Sequence, residues 1–190
     1  MPVLDVGCGT GVLSASLAAT SPRVLGMDPS AKSIAIARRE STALSNLEFE
    51  CATVEDWSAL HAGECFPVAV LNMVLMDVPD LSKAMKALAN VRAVRQVVAT
   101  FTHPAFWPRY WGYDKLPEFD YSREFAVVSQ FRTAAKDYGH LTTHYHRPLE
   151  NYLSAARRVG FAIANVAELR GTEDSRDFPY PRFIGLELRR

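Results

Sequence analysis

The segment Asp5-Val6-Gly7-Cys8-Gly9-Thr10-Gly11 places three glycines at alternate positions, the first of them two residues after an acid. About 20 residues on, Asp28-Pro29-Ser30 ends a second apolar run. Glycine has no Cβ, so the first segment can turn through positive φ and let a ligand lie against the main chain. A carboxylate placed like Asp28 can accept both hydroxyls of a ribose. The chemistry these residues offer is the holding of one nucleoside. Asp5 suits a ligand that carries an ammonium group, whereas a pyrophosphate would draw on exposed helix amides. A dinucleotide fingerprint needs a glycine three residues after its second, and Val12 stands there, which disfavours a nicotinamide cofactor and an oxidoreductase. Plainer readings stay open: a strand-to-helix turn explains Gly7 or Gly11 singly, and Asp28-Pro29-Ser30 can cap the next helix.

Proton chemistry falls to His103, His144 and His146, because imidazole titrates near neutrality and can act as a general base. Strand alternation puts His144 and His146 on one face. A turn or surface hydrogen-bonding role is the alternative for each. Tyr121 and Glu124 are reserves, and Arg109 and Arg147 are candidate clamps for an acidic substrate group.

Short apolar runs at Val3–Val6, Val24–Met27, Leu47–Phe49, Val68–Leu71 and Val97–Phe101 read as strands. Helical spacing fills Gly11–Ala19, Ala31–Leu44 and Leu81–Val91 between them. A helix at Leu149–Val159, ended by Gly160, and strands at Phe161–Val166 and Phe183–Leu188 complete the pattern. Such alternation predicts an α/β, Rossmann-like, doubly wound and mainly parallel seven-stranded sheet. After His103 the rhythm breaks. Of the 20 aromatic residues, 12 lie between Phe101 and Tyr145, in a stretch punctuated by Pro104, Pro108, Gly112 and Pro117. Residues 104–147 therefore read as an aromatic-rich insertion after strand five, a substrate cap within a single domain of residues 1–190. A hairpin of Arg123–Phe131 and Leu141–Arg147 is expected to turn at Asp137-Tyr138-Gly139. Substrate belongs beyond the ends of strands four and five, beside the cap.

The 190 residues suffice for one well-filled core. Lysine plus arginine equals aspartate plus glutamate at 21 each, leaving no net field to hold a polyanion, so nucleic acid is not the expected partner. Cys8, Cys51 and Cys65 lack the spacing of a zinc or redox site and read as reduced thiols; no metal is expected. The stretch Phe66–Met76 is too short to cross a membrane, and nothing at the N-terminus resembles an export signal, so the expected location is cytoplasmic.

Val3-Leu4-Asp5-Val6-Gly7-Cys8-Gly9-Thr10-Gly11 with Gly26-Met27-Asp28-Pro29-Ser30 closely resembles the class I S-adenosylmethionine-dependent methyltransferases of small-molecule type. The resemblance runs on through Val70-Leu71-Asn72-Met73-Val74-Leu75-Met76-Asp77-Val78 and Phe101-Thr102-His103-Pro104. It implies that Gly7, Cys8, Gly9 and Gly11 wrap the methionine part, Asp28 with Pro29 and Ser30 the ribose, and Thr53-Val54 the adenine, with Asn72 and Met73 under the methionine end. It also implies an extra antiparallel strand at the far side of the sheet, matching Phe183–Leu188. Tyr145-His146-Arg147-Pro148-Leu149 resembles a stretch found before the sixth helix in such enzymes. The chain departs from the pattern at Thr53, where many relatives carry aspartate, and at Asn90–Gln96, which lacks a Pro-Gly-Gly turn. Relatives also carry a covering helix ahead of the first strand; here Val3 follows Met1-Pro2, as a fragment, a misassigned start or a more open site would show. The expected activity is methyl transfer from S-adenosyl-L-methionine, leaving S-adenosyl-L-homocysteine, to oxygen or nitrogen, less readily carbon, of a small molecule. The alternative is a noncatalytic module that binds the same cofactor.

Overall fold

In the computed structural model, which describes residues 1–61, 63–132, 137–171 and 178–190, the first two apolar runs are strands buried at every position. They are β1 (Val3–Val6) and β2 (Val24–Met27), and cover on both faces is why neither alternates with polar residues. Between them α1 (Val12–Ala18) starts straight after Gly11, whose φ of 80° is open to glycine. Then α2 (Ala31–Glu40) begins where Ser30 accepts the Ser33 N–H. It stops short of the expected Leu44 because residues 41–43 turn. Next come β3 (Leu47–Glu50) and α3 (Val54–Leu60), a helix the periodicity does not show because it is only two turns long. Its signal is the cap: the Thr53 oxygen accepts the Asp56 N–H, and the Thr53 hydroxyl donates to the Asp56 carboxylate.

β4 (Val68–Asn72), α4 (Leu81–Asn90), capped by Asp80, and β5 (Gln96–Thr102) follow. Before β5, where the Pro-Gly-Gly turn is lacking, Ala93 takes a left-handed φ of 64° and the Arg95 and Gln96 amides share the Pro67 carbonyl. The insertion holds α5 (Trp107–Trp111), a 3-10 turn at Tyr113–Lys115, and a two-stranded sheet of β6 (Phe125–Arg132) and β7 (Asp137–His146). Asp137-Tyr138-Gly139 is thus strand rather than turn; the link between the strands lies outside the described residues. The chain closes with α6 (Leu149–Arg158), β8 (Ala162–Leu169) and β9 (Phe183–Arg189).

The main sheet has the order β3-β2-β1-β4-β5-β9-β8, parallel except for β9, which runs against both neighbours. The antiparallel strand therefore sits inside the sheet, and β8 forms the far edge. Leu4, Val6, Ala69, Leu71, Val97, Ala99 and Phe101 face the larger core, with residues of α3, α4 and α6. Val3, Val24 and Leu47 face a smaller core with α1. Beyond β1 that second face carries Val68, Val70, Val98 and Thr100, and Val98 is 37% exposed. No described helix is long and apolar enough to cross a membrane. Strand order reverses between β1 and β4, and the loops leaving β1, β2 and β4 gather there, where ligands bind in such sheets.

Candidate active site

The glycine loop after β1 turns by left-handed backbone at Gly7, Gly9 and Gly11, with φ of 71°, 54° and 80°. The three serve different ends. A Cβ on Gly7 would lie 2.4 Å from Val74 and one on Gly11 2.6 Å from Phe49, so these two are demanded by packing. A Cβ on Gly9 would meet nothing within 4 Å. Gly9 is the glycine that opens onto a ligand space.

Asp28 organises that space. Its Oδ2 accepts the Gly9 N–H at 2.9 Å and its Oδ1 accepts the Ser30 N–H at 2.8 Å. Each carboxylate oxygen retains a lone pair for a further donor. A cavity of about 350 Å³ runs from Gly7 past Asp28 and Pro29 to Thr53 and Val54. A second, of about 840 Å³, is lined by Gly9 and Asp28 at one side and by Trp107, Tyr110 and Trp111 at another. Asp28, Met73 and Asp77 line both, so the two form one cleft in two parts. Met73 sits at the junction with a φ of 59°, strained backbone of the kind that gathers at functional sites.

Other expected contacts lie elsewhere. Asp5 is 1% exposed beneath the loop, where it accepts the Ser14 hydroxyl at 2.6 Å, and it lines neither cavity. Burial raises its pKa, the Ser14 bond opposes this, and the Asp28 charge adds to it. Burial, then the Asp5 and Asp28 charges, push the Cys8 thiol up to about 12, so it is protonated at neutral pH. Ser30 caps α2. Asn72 accepts the Thr100 hydroxyl on the outer face of the sheet and lines neither cavity.

The three histidines separate. His103 is 5% exposed and its Nδ1 accepts the Ala105 N–H, so the proton is on Nε2, which donates to Glu168 at 3.1 Å. His146 is 2% exposed, donates from Nε2 to the Tyr121 carbonyl at 3.1 Å, and is packed among Tyr113, Phe119, Tyr121 and Phe125. Both are satisfied inside the protein and line neither cavity. His144 alone faces the cleft, with Nδ1 3.9 Å from Asp77. Burial, with the nearby His146 and Arg147 charges, pulls its pKa down to about 4, while burial pushes Asp77 up to about 6 against the opposing charge of Arg147.

The candidate clamps also move. Arg147 is 1% exposed and donates to Glu124 at 2.7 Å and to the carbonyls of Leu75, Val78 and Pro79. It bolts the start of α6 to the loop after β4, and Tyr145 N–H does likewise through the Met76 carbonyl at 2.7 Å. Glu124 is thereby engaged, and the Tyr121 hydroxyl accepts the Leu149 N–H. Arg109 stacks on Tyr180 with its guanidinium 5.1 Å from the ring centre and lines neither cavity. Asp77, Arg182 and Phe183 line the cleft although no sequence signal singled them out as site residues. The cue for the last two was the cluster Phe178-Pro179-Tyr180-Pro181-Arg182-Phe183, aromatic and proline-rich like the insertion it meets. Among the described residues no group of three or more His, Cys, Asp or Glu is placed to hold a metal.

Residues 3–94 match the model of a family described as a methyltransferase domain. That stretch, just under half of the chain, is similar to methyltransferase domains. The chain is 37% identical over 90 residues to a ubiquinone biosynthesis O-methyltransferase of Aromatoleum aromaticum, covering 47% of this chain and 38% of that protein. A protein of the same description from Cronobacter sakazakii is 39% identical over 90 residues, covering 47% and 37%. The matched segment thus spans less than half the length of these relatives. Over the whole chain the fold is that of an S-adenosylmethionine-dependent methyltransferase from Mesorhizobium loti (TM-score 0.71, 22% identity, covering 100% of this chain and 90% of that one). A methyltransferase of the same description from Methanosarcina mazei gives a TM-score of 0.73 at 19% identity, with 100% and 92% covered. The cyclase SpnF shares the methyltransferase fold at a TM-score of 0.67 and 15% identity, covering 100% and 75%, so the reaction must be argued from the site.

Proposed function

We propose that the chain is an S-adenosylmethionine-dependent methyltransferase acting on oxygen or nitrogen of a small-molecule acceptor. The observation that carries this reading is the bipartite cleft whose two parts meet at Asp28, Met73 and Asp77. The part along Gly7, Pro29, Thr53 and Val54 suits an adenosine, with its ribose hydroxyls donating to the lone pairs left on Asp28. The open side of Gly9 suits the methionine end. S-adenosylmethionine supplies an electrophilic methyl group on a positively charged sulfur. The protein's share is to align an acceptor from the aromatic part with that methyl group, to exclude water, and to take up a proton. Residues 104–147 serve as the cap that shapes the acceptor's half of the cleft, and the reading takes the protein to act in the cytoplasm on a free small molecule. Its test is calorimetric titration with S-adenosylmethionine, S-adenosylhomocysteine and NADH. Micromolar binding of the first two without NADH supports it, and no binding of either overturns it.

Gly9→Ala separates the loop's roles. Its left-handed φ costs about 1–2 kcal/mol for a residue with a Cβ, with no clash to add. Thermal stability is expected to fall modestly while cofactor affinity drops, because the added methyl occupies ligand space. Equal affinity at a lower melting temperature would remove Gly9 from the binding surface.

The proton acceptor is His144 or Asp77, the two titratable groups nearest one another at the cleft. With His144 held down to about 4, it is neutral and able to accept a proton throughout the physiological range. With Asp77 raised to about 6, it would lose that ability as pH falls through 6. His144 as base predicts a kcat that stays level from pH 7 to pH 5, whereas an acid limb near pH 6 would assign the role to Asp77.

A further inference from the structure

Arg182 and Trp107 both line the aromatic cavity, and the buried Arg182 Nε and Trp107 Nε1 have no hydrogen-bond partner among the described residues. Arg182 lies just ahead of β9 and is held by its own backbone, its N–H donating to the Leu169 carbonyl and its carbonyl accepting the His103 N–H. The guanidinium stands 4.8 Å from the Tyr110 ring centre and 5.4 Å from that of Phe183, and one of its terminal nitrogens donates to the Tyr110 hydroxyl at 2.8 Å. Two aromatic faces and one phenol thus fix the cation's position. No described carboxylate lies within ion-pair distance of it. Aromatic packing of this kind costs a guanidinium part of its hydration, a loss that a ligand anion in the cavity would offset.

The rest of the cavity has a complementary character. Trp107, Tyr110, Trp111 and Phe183 offer flat apolar walls, while Asp77 and His144, with Asp28 at the side shared with the smaller cavity, are proton-accepting groups of the same cavity. A ligand matching both must be flat and aromatic, anionic at one position and able to give up a proton at another. We propose that the acceptor is an aromatic hydroxy acid, its carboxylate accepting hydrogen bonds from Arg182 and its hydroxyl directed to Asp77 and His144. Arg182 then performs the task that the side-chain chemistry alone suggested for Arg109 or Arg147. The proposal rests on the methyltransferase reading for the fate of the hydroxyl, while the carboxylate site stands on the cavity itself.

The test uses the full chain saturated with S-adenosylhomocysteine and titrated, by tryptophan fluorescence and calorimetry, with 3,4-dihydroxybenzoate and with its methyl ester. The acid is expected to bind at least about tenfold more tightly than the ester, the gain of one charge-assisted contact. Arg182→Gln should erase the preference and Arg182→Lys should keep part of it, with melting temperature and S-adenosylhomocysteine affinity retained in both. Equal binding of acid and ester, failure of both to bind, or a preference that survives Arg182→Gln would overturn the proposal. Failure of S-adenosylhomocysteine to bind instead defeats the methyltransferase reading, and the acid-to-ester ratio measured without it still decides the carboxylate site.

Discussion

Asp28→Ala is expected to weaken binding of S-adenosylmethionine and S-adenosylhomocysteine by about 100-fold or more, since two hydrogen bonds to a charged acceptor contribute about 1.5–3 kcal/mol each. The structure gives the substitution a second effect. Asp28 holds the Gly9 and Ser30 amides, so its loss loosens the glycine loop as well as removing the proposed ribose acceptor. The fold should survive, because Asp28 follows β2 rather than packing within it and belongs to neither core cluster. Asp28→Asn divides the two contributions: its amide oxygen can keep one loop bond while the negative charge is gone. Calorimetry on both variants, with melting temperatures as control, makes the measurement. Affinity within a few-fold of the original chain would withdraw Asp28 from the ribose.

Arg147→Met is expected to cost about 3 kcal/mol of stability, at the lower end of what breaking a buried ion pair costs. The lower end applies because the Glu124 side chain is 43% exposed and can turn to water once its partner is gone. The carbonyls of Leu75, Val78 and Pro79 lose their donor too, and these belong to the loop that carries Asp77. Urea denaturation would read the loss directly. Unchanged stability together with a raised KM for the acceptor would return Arg147 to the role of a substrate clamp.

These two residues show what could be read from the chain before its fold. The place of Asp28 was legible because a carboxylate at that distance along the sequence from the glycine loop falls, with the loop, at the ends of adjacent parallel strands. The strands themselves were legible for a similar local reason: four-residue apolar runs at Val3–Val6 and Val24–Met27 need no long-range information. Arg147 was misread because its surroundings come from α4's approach loop, distant in sequence, and a buried, fully bonded arginine has the same letter as a free one. The histidines repeat the lesson. His103 and His146 are turned into the protein by Glu168 and Tyr121, while His144, one alternate position from His146 on the same strand, reaches the cleft. Arg182 and Asp77 were missed because what qualifies them is the company of Trp107 and Tyr110, which only the folded chain provides. Helix α3 was missed through brevity, although its Thr53–Asp56 cap was present in the sequence.

The placement of β9 between β5 and β8 also bears on how the protein is made. Every other strand of the parallel half has its neighbours in place once β5 has been synthesised, but β5 gains its second partner only from residues 183–189. Until those residues leave the ribosome, the Val97–Phe101 stretch presents an unpaired apolar edge, the kind of template on which chains aggregate. Pairings so distant in sequence are slow to form. Closure of the sheet is therefore a late step in biogenesis, and the nascent chain is most dependent on chaperones in the interval between completion of β5 and release of β9.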